Sequence, residues 1–287
     1  MFYLEEKGYL DLLSYVKKNG EYKQTRNGYT FSCFGSIIKF NISKKFPLLT
    51  TKKVFFRGFV EELLWFLRGS VNSKDLESKG INIWKSNSTR KYLDSIGLNN
   101  YDEGYLGPIY GYQWRNFNGQ NFDQIKYIIN ELLKPDNSRR AVISAWNPVQ
   151  LKDQALPPCH IFYNFYQNSN GLSCMMTMRS SDLFLGLPFN IASTALLTYI
   201  IAKVLHMNTH EICISLCDYH IYEEHIDNVN IQISRTIYDF PTIDINKKPP
   251  DIKSSIEEKI KWIEELKYED FILNNYIHHL PLNSIMK

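Results

Sequence analysis

Apolar positions recur at helical spacing near the start of the chain, at Leu4, Tyr9, Leu12, Leu13 and Val16, and Asn19-Gly20 follows as a stop. The spacing predicts a helix over 4–18. Residues 29–34 and 36–41 read as two strands around Gly35. Residues 58–67 form a strongly apolar helix that carries the adjacent acids Glu61 and Glu62 and closes at Arg68-Gly69. The stretch 70–122 is polar and turn-rich, punctuated by Trp84, Tyr110 and Trp114. So long a loop within a compact chain points to a functional surface. An amphipathic helix follows over 123–133, then a strand over 141–146. Strands over 160–167 and 172–179 flank Asn168-Ser169-Asn170-Gly171, a hairpin signal. Pro188 opens a buried helix that runs to Leu205, ahead of a strand at 212–216 and a short helix at 222–228. Ser254 or Ser255, with Glu257 or Glu258, offers a capping box for a helix over 256–266 striped by Ile256, Ile260 and Ile263. No repeat or linker interrupts the pattern, which predicts one α+β domain over 1–287.

Composition narrows the class. The net charge of +3 is too weak to imply a nucleic-acid or membrane surface. Five scattered cysteines, an odd number, point to reduced thiols in a cytoplasmic protein. The first residues carry neither a basic nor an apolar leader region, so no signal peptide is expected. The apolar stretch 191–205 contains Ser193, Thr194, Thr198 and Lys203 and falls short of the roughly 20 residues of a bilayer span. A soluble chain is expected.

Candidate chemistry centres on Leu156-Pro157-Pro158-Cys159-His160. The prolines stiffen the segment, and the apolar run after it reads as a strand, so the thiol can be aimed. Cys159 is either a nucleophile, which requires cations or donors nearby, or a buried structural cysteine. Arg26, Arg139, Arg140 and Arg179 lie at strand edges or turns, where guanidinium forks suit phosphate oxygens or plain surface ion pairs. If the strand begins near Ala141, one arginine of Arg139-Arg140 is free to reach a neighbouring subunit. Arg179, Ser180, Asp182 and Asn190 gather a cation, a hydroxyl, a carboxylate and a carboxamide within twelve residues. The carboxamide of Asn190 matches a pyrimidine edge, or else closes a helix end. Glu62 is exposed or held in a pocket with a raised pKa, whereas Glu61 is expected to be solvated. Cys213, Cys217, His220 and His225 imitate a zinc pattern but lack the long separation of a finger, so no metal is expected.

Together these segments resemble the thymidylate synthase family along nearly the whole chain. The resemblance is carried by FPLLTTKK from Phe46, EELLWFLRG from Glu61, LGPIYGYQWR from Leu106, SRRAVISAWNP from Ser138, LPPCH, RSSDLFLGLPFNIAS from Arg179 and DYHIYEEHI from Asp218. It implies reductive methylation of dUMP to dTMP, with methylenetetrahydrofolate as carbon and hydride donor. It also implies an α+β fold whose twisted mixed sheet, flanked by helices, forms a homodimer interface. Cys159 then matches the nucleophile, with Glu62, Tyr110, Arg179 and Asp182 as its catalytic partners and Arg179 lowering the thiol pKa. Arg26, Arg179, Ser180, Asp182, Asn190, His220 and Tyr222 match the dUMP site, completed by Arg139 and Arg140 from the other subunit. Trp84, Asp182, Leu185, Gly186 and Phe189 match folate-facing positions, and His160 matches a structural residue rather than a base. Met178, Cys217, Lys85, Tyr105, the arginine loop 25–29 and the ending 276–287 depart from the family pattern, and the helix over 254–266 looks longer than usual. With no reductase segment in view, a separate dihydrofolate reductase is expected. The rival readings are a deoxycytidylate hydroxymethylase, against which Asn190 argues, and a silent nucleotide- or RNA-binding dimer.

Overall fold

The computed structural model describes residues 2–136 and 138–284; Met1, Asn137 and residues 285–287 of the divergent ending lie outside them. Strand β1 (Phe2–Leu4) leads into helix α1 (Glu5–Asn19) and the hairpin β2 (Glu21–Thr25) and β3 (Gly28–Asn41). Helix α2 (Phe56–Leu67) precedes the short helices α3 (Lys74–Glu77), α4 (Arg90–Ser95) and α5 (Tyr110–Arg115), then α6 (Gln124–Leu132). Next come β4 (Val142–Ser144), β5 (His160–Asn168), β6 (Gly171–Asp182), α7 (Gly186–Val204) and β7 (Thr209–Tyr222). The chain ends with α8 (Ile226–Ile233), β8 (Thr242–Ile245), α9 (Ile256–Glu264) and β9 (Phe271–Asn274).

The main sheet runs β1-β3-β7-β6-β5-β4, with β2 added on β3, and is mixed. The β1–β3 and β6–β7 pairs are parallel and the others antiparallel. A parallel neighbour requires a crossover, and α7 supplies it between β6 and β7. Its apolar residues bury against the sheet: Ile191, Ala195, Leu196, Ile200 and Ile201 are fully enclosed. This explains why its composition would also suit a membrane span; 72% of its most apolar stretch is buried in the fold. The fold is α+β, as the pattern predicts.

Several boundaries differ from expectation. The two strands around Gly35 are one, β3: Gly35 takes φ +77° and is skipped in the pairing, yet the strand resumes on its far side. Phe34 opposite Asp218 and Ser36 opposite Leu216 keep one register across the kink. Strand β7 is far longer than 212–216, since β3 and β6 pair with it on both sides. Helix α7 starts two residues before Pro188, the helix after β7 starts at Ile226 rather than 222, and α9 ends at Glu264 rather than 266. The capping box on α9 is formed by Ser255 and Glu258. Strands β2 and β9 carry too little apolar alternation to be recognised from sequence, and β8 alternates cleanly but over only four residues.

Pairing register also defines the sheet face turned away from α7. Phe162 opposes Thr177, Asn164 opposes Met175, Met175 opposes Cys213, and Ser215 opposes Ile37. Phe162, Met175 and Tyr166 are exposed there. Cys213 and Cys217 lie along this part of β7, and among the described residues no group of three or more His, Cys, Asp or Glu side chains comes together to hold a metal.

Candidate active site

Cys159 sits immediately before β5, where a bulge between His160 and Phe162 interrupts the β5–β6 register. Its backbone N–H donates to Tyr110 Oη at 2.6 Å. Arg179, on β6, turns its guanidinium to the same segment: Nε donates to Pro158 O at 2.8 Å and Nη2 to Pro157 O at 3.0 Å. The two prolines present carbonyls that a helix would have consumed, and the arginine uses them as a clamp. Arg179 Nη2 lies 3.9 Å from Cys159 Sγ. Burial pushes the thiol pKa up and the Arg179 charge opposes it, with burial the larger effect. The expected lowering of the thiol pKa by Arg179 is therefore present but outweighed.

Glu62 projects from α2 and accepts from Trp84 Nε1 at 2.7 Å. Burial raises its pKa to about 7, with the Trp84 donor working against the rise. Glu61, expected to be solvated, is instead buried and paired with Lys79 at 2.6 Å. The helix is enclosed nearly all round, so its polar positions must find partners rather than water. Tyr110, the first residue of α5, is buried, stacks on His160 at 4.0 Å, and its own ionisation is strongly suppressed by burial.

At the carboxyl end of β6, Asp182 Oδ1 accepts from the Phe184 and Leu185 amides at 2.9 and 3.2 Å, fixing the turn into α7. Gly186 adjoins both Asp182 and Asn190: a Cβ there would lie 3.7 Å from Asp182 Cβ and 3.9 Å from Asn190 Oδ1. The Asn190 side chain makes no hydrogen bond among the described residues, so it does not close the helix end. Register places Ser180 opposite Asp218 and Asp182 opposite His220. His220 Nδ1 contacts Asp218 Oδ1 at 2.9 Å, and that bond, with Lys23, holds the Asp218 carboxyl down at about 2. Tyr222 stands edge-on to His220, and its hydroxyl feels the charges of Asp182, Cys159 and Arg26. Arg26 occupies the exposed β2–β3 turn. Arg139 and Arg140 are exposed ahead of β4, which lies four strands from β3 across the sheet, so they do not join Arg26 within one chain.

Leu185 and Phe189 line a 330 Å³ cavity with Lys52, Phe55 and tail residues Pro281 and Leu282. The divergent tail is docked over it. His279 N donates to Thr50 O, Arg235 Nη1 to Leu280 O and Asn228 Nδ2 to Asn283 O, at 2.8, 2.8 and 3.0 Å. Of the departing positions, Met178 is core, packed opposite His160, while Lys85 is exposed and Tyr105 stands edge-on to Tyr101.

The basic pair Lys52-Lys53 reads in the sequence as a solvated face or a small-anion site, and Glu6 carries no signal there; in the fold Lys52 and Glu6 are both buried. Lys52 is buried, donates to Phe184 O and stands 3.7 Å from the centre of the Phe184 ring; burial draws its pKa down to about 7. Glu6 is buried and accepts from the amides and hydroxyls of Thr50 and Thr51 at 2.7–2.9 Å.

The site thus gathers, in an α+β protein, a thiol 3.9 Å from a guanidinium at the end of a mixed sheet and a carboxyl of raised pKa, with Tyr110 influenced by both the thiol and the carboxyl. The sequence model of the thymidylate synthase family matches residues 7–287, and the chain belongs to that family. It is 47% identical over 287 residues to the bifunctional dihydrofolate reductase-thymidylate synthase of Paramecium tetraurelia, covering 96% of this chain and 60% of that protein. The bifunctional enzyme of Zea mays is 45% identical over 271 residues, covering 90% and 52%. That of Plasmodium berghei (strain Anka) is 42% identical over 290 residues, covering 97% and 48%. The chain thus spans about half the length of the curated relatives it matches. Because these relatives are named as bifunctional, the expectation of a separate reductase finds no support in them.

Proposed function

We propose that this chain converts dUMP to dTMP, with methylenetetrahydrofolate supplying both the carbon unit and the hydride and leaving as dihydrofolate. The observation that carries the reading is the Cys159 thiol 3.9 Å from Arg179, its amide fixed on Tyr110. Thiolate addition to carbon 6 of the pyrimidine makes carbon 5 a nucleophile, which divides a difficult alkylation into easier steps. Arg179 stabilises the thiolate once phosphate and base exclude water. Glu62, poised near neutrality, exchanges a proton at the carbonyl side of the base. Tyr110 stands where the carbon 5 proton leaves. Asn190, unpaired and beside Gly186 and Asp182, reads the uracil edge; His220 and Tyr222 hold the sugar hydroxyl. Arg26, Arg179 and Ser180 hold the phosphate.

The folate side fits: the apolar cavity wall of Leu185 and Phe189, with Trp84 bonded to Glu62 and Asp182 at the turn into α7, suits a flat ring system, and Lys52 suits its carboxylates. The exposed apolar sheet face around Phe162 and Met175 supports a homodimer, in which Arg139 and Arg140 reach the partner's phosphate from the far sheet edge. The five free cysteines fit a reducing, cytoplasmic setting.

The test is dihydrofolate release from dUMP plus methylenetetrahydrofolate, with dCMP in parallel and Cys159→Ser as control. Turnover with dUMP alone, abolished by the substitution, is expected. Turnover with dCMP, or none with either nucleotide while dUMP still binds, refutes the proposal.

A further inference from the structure

In a regular strand, residues three apart face opposite sides. His160 and Tyr163 do not. The bulge between His160 and Phe162 inserts one residue, so both side chains enter the same buried layer. There Tyr163 Oη lies 3.0 Å from His160 Nδ1, with Tyr163 3% and His160 8% exposed. The imidazole stacks on Tyr110 at 4.0 Å with an interplanar angle of 19°, and Phe66 packs against both rings. Tyr110 Oη in turn takes the Cys159 amide.

These contacts form one chain from Tyr163 through His160 and Tyr110 to the nucleophile. We propose that Tyr163 is a positioning residue: its hydroxyl donates to His160 Nδ1, fixes the neutral ring with its proton on Nε2, and so holds Tyr110 and the Cys159 backbone in register. Burial keeps His160 neutral, drawing its pKa down to about 3, so its ring serves as a rigid plate rather than as the base for its neighbouring thiol. A phenol is a better donor than acceptor and a neutral imidazole nitrogen a strong acceptor, which sets the direction of the bond. The inference deepens the proposed function and rests on it for the catalytic consequence alone.

The test is Tyr163→Phe, which keeps the ring that packs edge-on against Trp114 at 5.5 Å and removes one oxygen. Three readouts are taken on the full chain. Nitrogen-15 NMR of histidine-labelled protein reports the His160 tautomer: Nε2-protonated in the wild type and mixed in the variant. The rate of Cys159 alkylation by iodoacetamide, read on its peptide by mass spectrometry, is expected to change at least threefold. The kcat for dUMP is expected to fall about tenfold with KM within twofold. An Nδ1-protonated His160 in the wild type overturns the proposal, as does a variant with unaltered tautomer or unaltered alkylation rate. Absence of dUMP turnover in the wild type removes the proposed function instead, leaving the tautomer and alkylation rate to decide the role of Tyr163.

Discussion

Replacing Glu62 by glutamine tests the electrostatics of the site without relying on substrate. Glutamine keeps the shape and the acceptor for Trp84 Nε1 but cannot ionise. The wild-type carboxyl is raised from an ordinary 4.5 to about 7, first by burial and against the opposing Trp84 bond. Between those values the folded state holds a proton that the unfolded chain has released, so wild-type stability falls as pH rises through this window. At 1.36 kcal/mol per pH unit, the interval amounts to about 3 kcal/mol, an upper figure because the residue keeps some contact with solvent. Below pH 4.5 the protonated acid and the amide are alike. The stability of Glu62→Gln relative to wild type should therefore be constant below about pH 4.5, climb to about pH 7, and level off at up to about 3 kcal/mol in the variant's favour. Urea unfolding of both proteins from pH 4 to 8.5 measures the difference, in which the other titrating groups largely cancel. A difference that is flat across this range refutes the assignment of a raised pKa to Glu62. Activity should move the other way, with kcat falling at least a hundredfold, since general acid–base groups contribute about that much.

Three further outcomes follow from the geometry. Glu6→Gln replaces a carboxylate that accepts from both Thr50 and Thr51 with an amide whose NH₂ faces donors, and should cost about 3 kcal/mol in urea unfolding; a loss under about 1 kcal/mol contradicts its anchoring role. Arg179→Met removes a charge that lowers the Cys159 pKa, so the pH midpoint of iodoacetamide alkylation at this cysteine should move up; an unmoved midpoint means that the guanidinium does not act on the thiol. Gly107→Ala places a Cβ 2.0 Å from Asp153 O at a φ of +74°, and should lower the thermal midpoint sharply or prevent folding; near-wild-type melting is inconsistent with this close approach.

Much of the site was legible in the sequence because its residues travel in compact segments. LPPCH places Cys159 at a strand mouth, and the segment from Arg179 to Asn190 spans a strand end, a turn and a helix start, so local chemistry already implied convergence. Periodicity likewise separated the long helices α1, α2 and α7 from the β5–β6 hairpin. What it missed depended on partners remote in sequence. Strand β8 is too short to announce itself and is held by β9, which lies beyond α9 in the chain. Glu61 read as a solvated acid because nothing local announces Lys79, eighteen residues away, or the packing that surrounds α2.

Sequence alone thus determined which chemical groups this protein has and the order in which they come, because residue type and spacing set propensity, turn chemistry and candidate reactivity. Tertiary structure alone decided their state. Burial raises Glu62 to about 7 and outweighs Arg179 at the thiol, and a one-residue bulge turns His160 and Tyr163 toward each other. Desolvation and strand register are properties of packed neighbours, and neither exists until distant segments meet.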